Sequence, residues 1–208
     1  MSADAFFTTV RIFPEILLLA GACVAMIVDV YAKDERRRAA YAIAHATLLL
    51  GFLATLAVVY ESGGVRYEVF NGLLVSDRLS HLLKLACFLA VSAALVYSRQ
   101  YLLERNLLRG EFITLLLFSL LGMMVLISAG SFLTLYLGLE LMSLCLYAMV
   151  ALNRDSPVAT EAAMKYFVLG ALSSGLLLYG MSMIYGATGT LAIPEVARVV
   201  GELAGKDH

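Results

Sequence analysis

"SFLTLYLGLELMSLCLYAMVAL", residues Ser131–Leu152, decides what kind of protein this is. It has the length and apolarity of a helix that crosses a bilayer, since about 20 residues span a hydrocarbon core of about 30 Å. Yet Glu140 stands near its centre, with nine residues of the stretch before it and twelve after. A charge at the centre of a span costs about 2.5–3.5 kcal/mol on insertion scales. A glutamate side chain is too short to reach the interface from there, so it has to be neutral, paired or hydrated. Intramembrane carboxylates generally mark ion or proton paths. The competing structural reading is a protonated glutamate bridging two helices.

The rest of the chain supports a membrane setting. Of its 208 residues 62% are hydrophobic and 15% charged, and its mean hydropathy is +0.88. A soluble domain carries about a quarter charged residues, and a core this large would lack polar surface to cover it. The net charge of −1 excludes the basic surface that nucleic-acid binding requires. Cys23, Cys87 and Cys145 all fall in apolar segments at spacings that match no metal motif, and their odd number argues against a disulfide framework. The first apolar run is long and lacks a small-residue cleavage site, so no cleavable leader is read there.

Six spans follow, at about 12–31, 39–60, 76–98, 112–129, 131–152 and 158–185, with 186–208 as a tail. The runs are too long and continuous for barrel strands, and helices satisfy their own backbone polar groups in lipid. The segment "ESGGVRYEVFNGLLV" between the second and third spans combines glycines with alternating apolar residues, which predicts a small hairpin at the membrane surface. Pro157 is placed to open the sixth helix. Pro194 and the polar ending leave room for a short amphipathic helix in the tail.

Lys33, Arg36, Arg37 and Arg38 lie between spans one and two, Arg99, Arg105 and Arg109 between three and four, and Arg154 between five and six. These loops share one side. Arg11, Arg66, Arg78, Arg198 and Lys206 are spread thinly over the other. The positive-inside rule puts the first group in the cytoplasm and both termini on the outer face of a bacterial inner membrane.

Two further groups of ionisable residues lie within spans. Lys165 is eight residues past Pro157, about 12 Å along its helix, and Glu140 is twelve residues from Leu152, about 18 Å from the same side. Depth alone therefore predicts a buried acid–base pair between the antiparallel fifth and sixth helices. Against it stand snorkelling of Lys165 and a simple helical pair with Glu161 at i−4. Asp77, His81 and Lys84 share one helical face at i, i+4, i+7. Near a helix start such a trio more often serves as an interfacial anchor, with Asp77 at the N-terminus, although His81 titrates near neutral pH and suits a proton relay. His45, alone in span two, reads as a satisfied core histidine. The small residues Gly170/Ser174 and Ala171/Gly175 allow close approach of another helix to span six. The sequence has no phosphate loop, haem ligand pair or cysteine cluster.

The stretches "LYLGLELMSLCLYAMVAL", "EAAMKYFVLGALSSGLLLYGMSMIYGATGT" and "FNGLLVSDRLSHLLK" closely resemble the subunit N family of NADH–quinone oxidoreductase, respiratory complex I. Gly138, Glu140, Leu141, Ser143 and Tyr147 carry the first match; Lys165, Tyr166, Phe167, Gly170, Ala171 and Ser173–Gly175 carry the second, followed by the Gly186–Thr190 run. The resemblance covers nearly the whole chain.

It implies an all-α integral membrane protein, the N-terminal portion of an antiporter-like fold of about fourteen helices related to Mrp-type antiporters. Such a subunit moves protons in an enzyme complex while electron transfer from NADH to quinone proceeds elsewhere. NAD, FMN, iron–sulfur clusters and quinone would belong to other subunits, with no cofactor in this chain. The partners implied are neighbouring membrane-arm subunits and the lipid bilayer. By the same resemblance Glu140 and Lys165 are the proton-translocation pair, with Lys84, His81, Asp77 and Glu161 as candidate accessories. The family's broken seventh helix and second repeat lie beyond the last residue, so the chain alone is expected not to translocate protons. An Mrp-type cation/proton antiporter subunit and a non-catalytic membrane scaffold are the alternative functions.

Overall fold

A computed structural model describes residues 10–31, 38–63, 65–105, 107 and 109–204. Six described helices are long and apolar enough to cross a membrane: α1 (Phe13–Tyr31), α2 (Arg38–Ser62), α3 (Arg78–Glu104), α4 (Gly110–Ile127), α5 (Phe132–Val150) and α6 (Pro157–Thr188). Between α2 and α3 lies an antiparallel hairpin of β1 (Tyr67–Val69) and β2 (Leu74–Ser76). A seventh helix, α7 (Ile193–Ala204), occupies part of the segment read as a tail. The hairpin and α7 fall where the sequence places them. Lys33, Arg36, Arg37 and Lys206 lie outside the described residues.

Helices in lipid gain little from hiding apolar surface from one another and associate through close packing and polar contacts. Small residues on the facing surfaces show this. α1 buries Leu18, Ala22 and Ala25. α2 buries Ala40, Ala44, Thr47 and Leu48; Thr47 packs against Gly21 of α1, while Gly51 packs against Phe88 of α3. α4 is the central helix, packed against α1, α3 and α5, with Ile113, Leu117, Leu120 and Met124 fully buried. Its crossing with α5 is a backbone-on-backbone contact. A Cβ added at Gly122 would stand 2.6 Å from the Met142 amide nitrogen, and one at Gly138 would stand 2.6 Å from that of Leu126. Any side chain there would push the two helices apart.

Packing weakens after α4. Half of the apolar window of α4 is buried, against 6% of that of α6. α6 opens with the Ser156 cap and Pro157 in its first turn, and closes at Gly189 in the left-handed conformation (φ 71°), as N- and C-terminal helix signals predict. Its 32 residues make it about 48 Å long, well beyond a bilayer core.

One end of the bundle is capped by irregular backbone joined by a ladder of hydrogen bonds. The hairpin turn carries Asn71 and Gly72 at φ 55° and 84°, the Asn-Gly signature of a type I′ turn. β2 then extends to the α4–α5 link: the Val75 amide donates to the Ser128 carbonyl and the Gly130 amide to the Leu73 carbonyl. That link pairs in turn with the segment before α7, through Phe132 to Leu191 and Ile193 to Gly130. Unpaired backbone groups are costly near lipid, so this ladder lets a non-helical segment sit over the helix ends.

Candidate functional site

The α5–α6 region holds the first cluster. Glu140 is half-buried on α5 and its Oε2 accepts a 2.8 Å hydrogen bond from the Ser174 hydroxyl of α6. Below it, Tyr147 packs edge-on to Tyr166 and Phe167, with ring centroids 4.8 and 5.8 Å away. Gly170 leaves the space that the Tyr147 hydroxyl fills. Of the small residues on α6, Gly170 and Ser174 therefore face α5, while Ala171 and Gly175 are exposed.

Lys165 is not joined to Glu140. Its ammonium group lies 2.5 Å from Glu161, one turn earlier on α6, and both side chains are about two-thirds exposed. Depth arithmetic from the loop misplaced it for two reasons. First, the register is offset: Tyr147 meets Gly170 and Glu140 meets Ser174, so the part of α5 level with Lys165 lies near Val150. That is about 15 Å from Glu140 at 1.5 Å per residue. Second, Lys165 and Ser174 are nine residues apart, about half a turn out of phase at 100° per residue. Ser174 faces α5, so Lys165 faces away.

The second cluster lies at the hairpin end. Asp77 caps α3: its Oδ1 accepts from the Ser80 amide at 2.7 Å, while the Ser80 hydroxyl receives the Asp77 amide at 3.0 Å. This is a reciprocal capping box. The hydrogen bond from the Ser80 backbone is the main reason the Asp77 carboxyl is held below the usual carboxylate range. His81, 2% exposed, lies with Nε2 3.0 Å from the Ser76 hydroxyl of β2. Lys84 is also buried, and its ammonium lies 2.5 Å from Glu15 Oε1 of α1. Among the described residues this is the buried ion pair: the side chains are 4% and 12% exposed. Glu15 was not among the sequence candidates, although an acidic residue one turn into the first span is the signal that finds it.

Of the remaining candidates, His45 is only half satisfied. Its Nδ1 lies 3.0 Å from the Tyr41 carbonyl, while Nε2 is buried without a partner. The three cysteines are free thiols, and among the described residues no group of three His, Cys, Asp or Glu side chains gathers to hold a metal.

A transmembrane family described as NADH:quinone oxidoreductase/Mrp antiporter matches residues 129–207, the stretch from the end of α4 through α7. Over 188 residues the chain is 54% identical to NADH-quinone oxidoreductase subunit N of Nitrosomonas europaea, a match covering 90% of this chain and 38% of that protein. The chain belongs to the NADH:quinone oxidoreductase/Mrp antiporter family. Two solved structures contain chains of similar fold. Respiratory complex I from Thermus thermophilus contains a chain 26% identical, with a TM-score of 0.67, over 90% of this chain and 41% of that one. The Mrp complex from Dietzia sp. contains a chain of the same fold, 21% identical with a TM-score of 0.71, over 97% and 40%. The chain thus spans about two-fifths of the length of the family members it matches. Its fold is the antiporter-like helical membrane architecture of complex I subunits.

Proposed function

We propose that this chain supplies part of the proton path of an NADH–quinone oxidoreductase membrane arm, with Glu140 as its protonatable group. The observation carrying the reading is the position of Glu140: a carboxylate in the middle of an apolar helix, half-buried, held by the single hydroxyl of Ser174. One neutral donor leaves room for the carboxyl to change protonation or partner. The identity of 54% to a subunit N favours coupling to quinone reduction over free-standing cation/proton exchange. Electron transfer and its cofactors are assigned to other subunits, and the lipid bilayer and neighbouring membrane-arm subunits are the partners.

Lys165 acts in this reading by moving between Glu161 and the Glu140 region. A switch of this kind needs a second arrangement with different contacts. α6 is the element able to supply it, because it is scarcely packed. The inner bacterial membrane with the arginine-rich loops on the cytoplasmic side is the proposed setting. The test is Glu140→Gln and Lys165→Ala in the complete NADH-oxidising complex in vesicles, reading proton uptake and NADH oxidation together. Loss of coupled pumping supports the roles; pumping unchanged in either variant removes that residue from the path. Sodium-dependent proton exchange without NADH oxidation would favour the Mrp-type reading, and normal pumping in both variants would favour the scaffold.

A further inference from the structure

The hairpin end of the bundle contains more buried polar chemistry than a helix anchor needs. Glu15 from α1 and Lys84 from α3 form an ion pair at 2.5 Å, but the second carboxylate oxygen of Glu15 is buried with no partner. The Ser128 hydroxyl, 3% exposed, is also buried with no partner, as is Nδ1 of His81. Buried polar groups are nearly always satisfied, and clusters of exceptions mark bound water or chemistry. Beside Glu15 and Ser128 lies a cavity of about 10 Å³, lined by Glu15, Lys84, Ser76, Ser128 and Arg11 among others. That measure is about the space one water molecule needs, and the lining offers the two to four polar partners such a water requires. Ser76 lines this cavity and also bonds His81 Nε2, so the histidine is one hydroxyl away.

We propose that Glu15, Lys84 and His81, linked through Ser76 and one water bridging to Ser128, form a proton-exchange site under the hairpin, separate from the Glu140 region. The step conserves atoms and charge. The Nε2–H bond of the His81 imidazolium breaks as Ser76 takes that proton and releases its own hydroxyl proton to the water. The water passes a proton on, and an O–H bond forms at Glu15 Oε2. Imidazolium becomes imidazole, carboxylate becomes carboxylic acid, and Lys84 is left as the cluster's unpaired cation, which favours return. The charged groups facing the site are Arg11 beside α1 and Asp77 at the start of α3; the hairpin contributes Ser76, and the end of α4 contributes Ser128. The site stands on this chain's own residues and holds whether or not the function proposed for Glu140 does.

The test is infrared difference spectroscopy of the chain in lipid nanodiscs, titrated from about pH 5 to about pH 9, a range in which histidine changes charge. In the Glu140→Gln background a carboxylic-acid band is expected to appear on acidification, shift in D2O and vanish when Glu15→Gln is added. His81→Asn is expected to move its midpoint by about one pH unit. Glu15→Asp, which keeps the acid, should shift the band without abolishing it and serves if Glu15→Gln does not fold. A band that survives Glu15→Gln in that background, or the absence of any band in Glu140→Gln alone, overturns the proposal. So does a titration indifferent to His81→Asn. Lowered thermal stability in Glu15→Gln with no such band in the native chain would make the pair purely structural and also overturn it.

Discussion

Lys84 and Glu15 form an ion pair at 2.5 Å that ties α3 to α1 across 69 residues of sequence, with both side chains nearly sealed from solvent. Removing one member strands a buried charge, which costs about 3–5 kcal/mol, whereas removing both is far milder. Lys84→Met is therefore expected to destabilise by about that amount, and Glu15→Gln combined with Lys84→Met to recover most of it. Thermal unfolding in a mild detergent across the four members of the double-mutant cycle measures the coupling. Additive losses would mean the pair does not interact.

The Gly122–Gly138 crossing predicts a position-specific effect of one methyl group. Each added Cβ would stand 2.6 Å from a backbone nitrogen of the other helix. Such overpacking costs about 1–3 kcal/mol, so Gly122→Ala and Gly138→Ala should each lower the unfolding temperature. Gly175 and Gly180 have nothing within 4 Å of a Cβ. Their alanine variants in this chain should stay within about 0.5 kcal/mol of the parent. Equal effects at all four positions would refute the close crossing.

Asp77→Ala should cost about 1 kcal/mol, the usual value of an N-cap. The Asp77 carboxyl is held below its ordinary range in the folded chain, so its contribution is fully present above the unfolded value near about pH 4. It is lost as pH falls through the lower folded value. Parent and Asp77→Ala melting curves should therefore converge on acidification below about pH 4, and a gap that stays constant there would assign the loss to something other than the carboxylate.

Ser174 donates the hydrogen bond that holds Glu140. Ser174→Ala should keep the fold, since a single hydrogen bond to a charged group is worth about 1.5–3 kcal/mol at most. In the assembled complex it should alter the pH profile of proton pumping without abolishing it, whereas Glu140→Gln should abolish it. An unchanged profile in Ser174→Ala would mean that this hydroxyl does not influence the proton affinity of Glu140.

The six spans were legible because each is a continuous apolar run bounded by turn chemistry, and lipid permits such a run only one regular structure. The glycines and alternating apolar residues between the second and third spans announced the hairpin, Asp77 a helix start, and Pro157 an opening turn. Glu140 was conspicuous because a charge within an apolar helix needs a reason. Its neighbour was not legible. Counting residues from the loop gives depth along each helix, but neither the axial offset between helices nor the direction in which each side chain points. Those two quantities exchanged Lys165 for Ser174 as the partner of Glu140. The same blindness hid Glu15, because the residue that neutralises it lies 69 positions away on another helix.

What the sequence by itself determined, then, is everything governed by local chemistry and by the solvent: a membrane chain, its helices, their caps, and the ionisable residues that had to be accounted for. Only the tertiary structure decided which charges meet. Helices in lipid are positioned by close fits such as Gly122 on Gly138, and rotating a helix by half a turn exchanges one partner for another without disturbing its apolar pattern. The ion pair of Glu15 with Lys84 and the bond from Ser174 to Glu140 are consequences of that packing, which no single segment encodes.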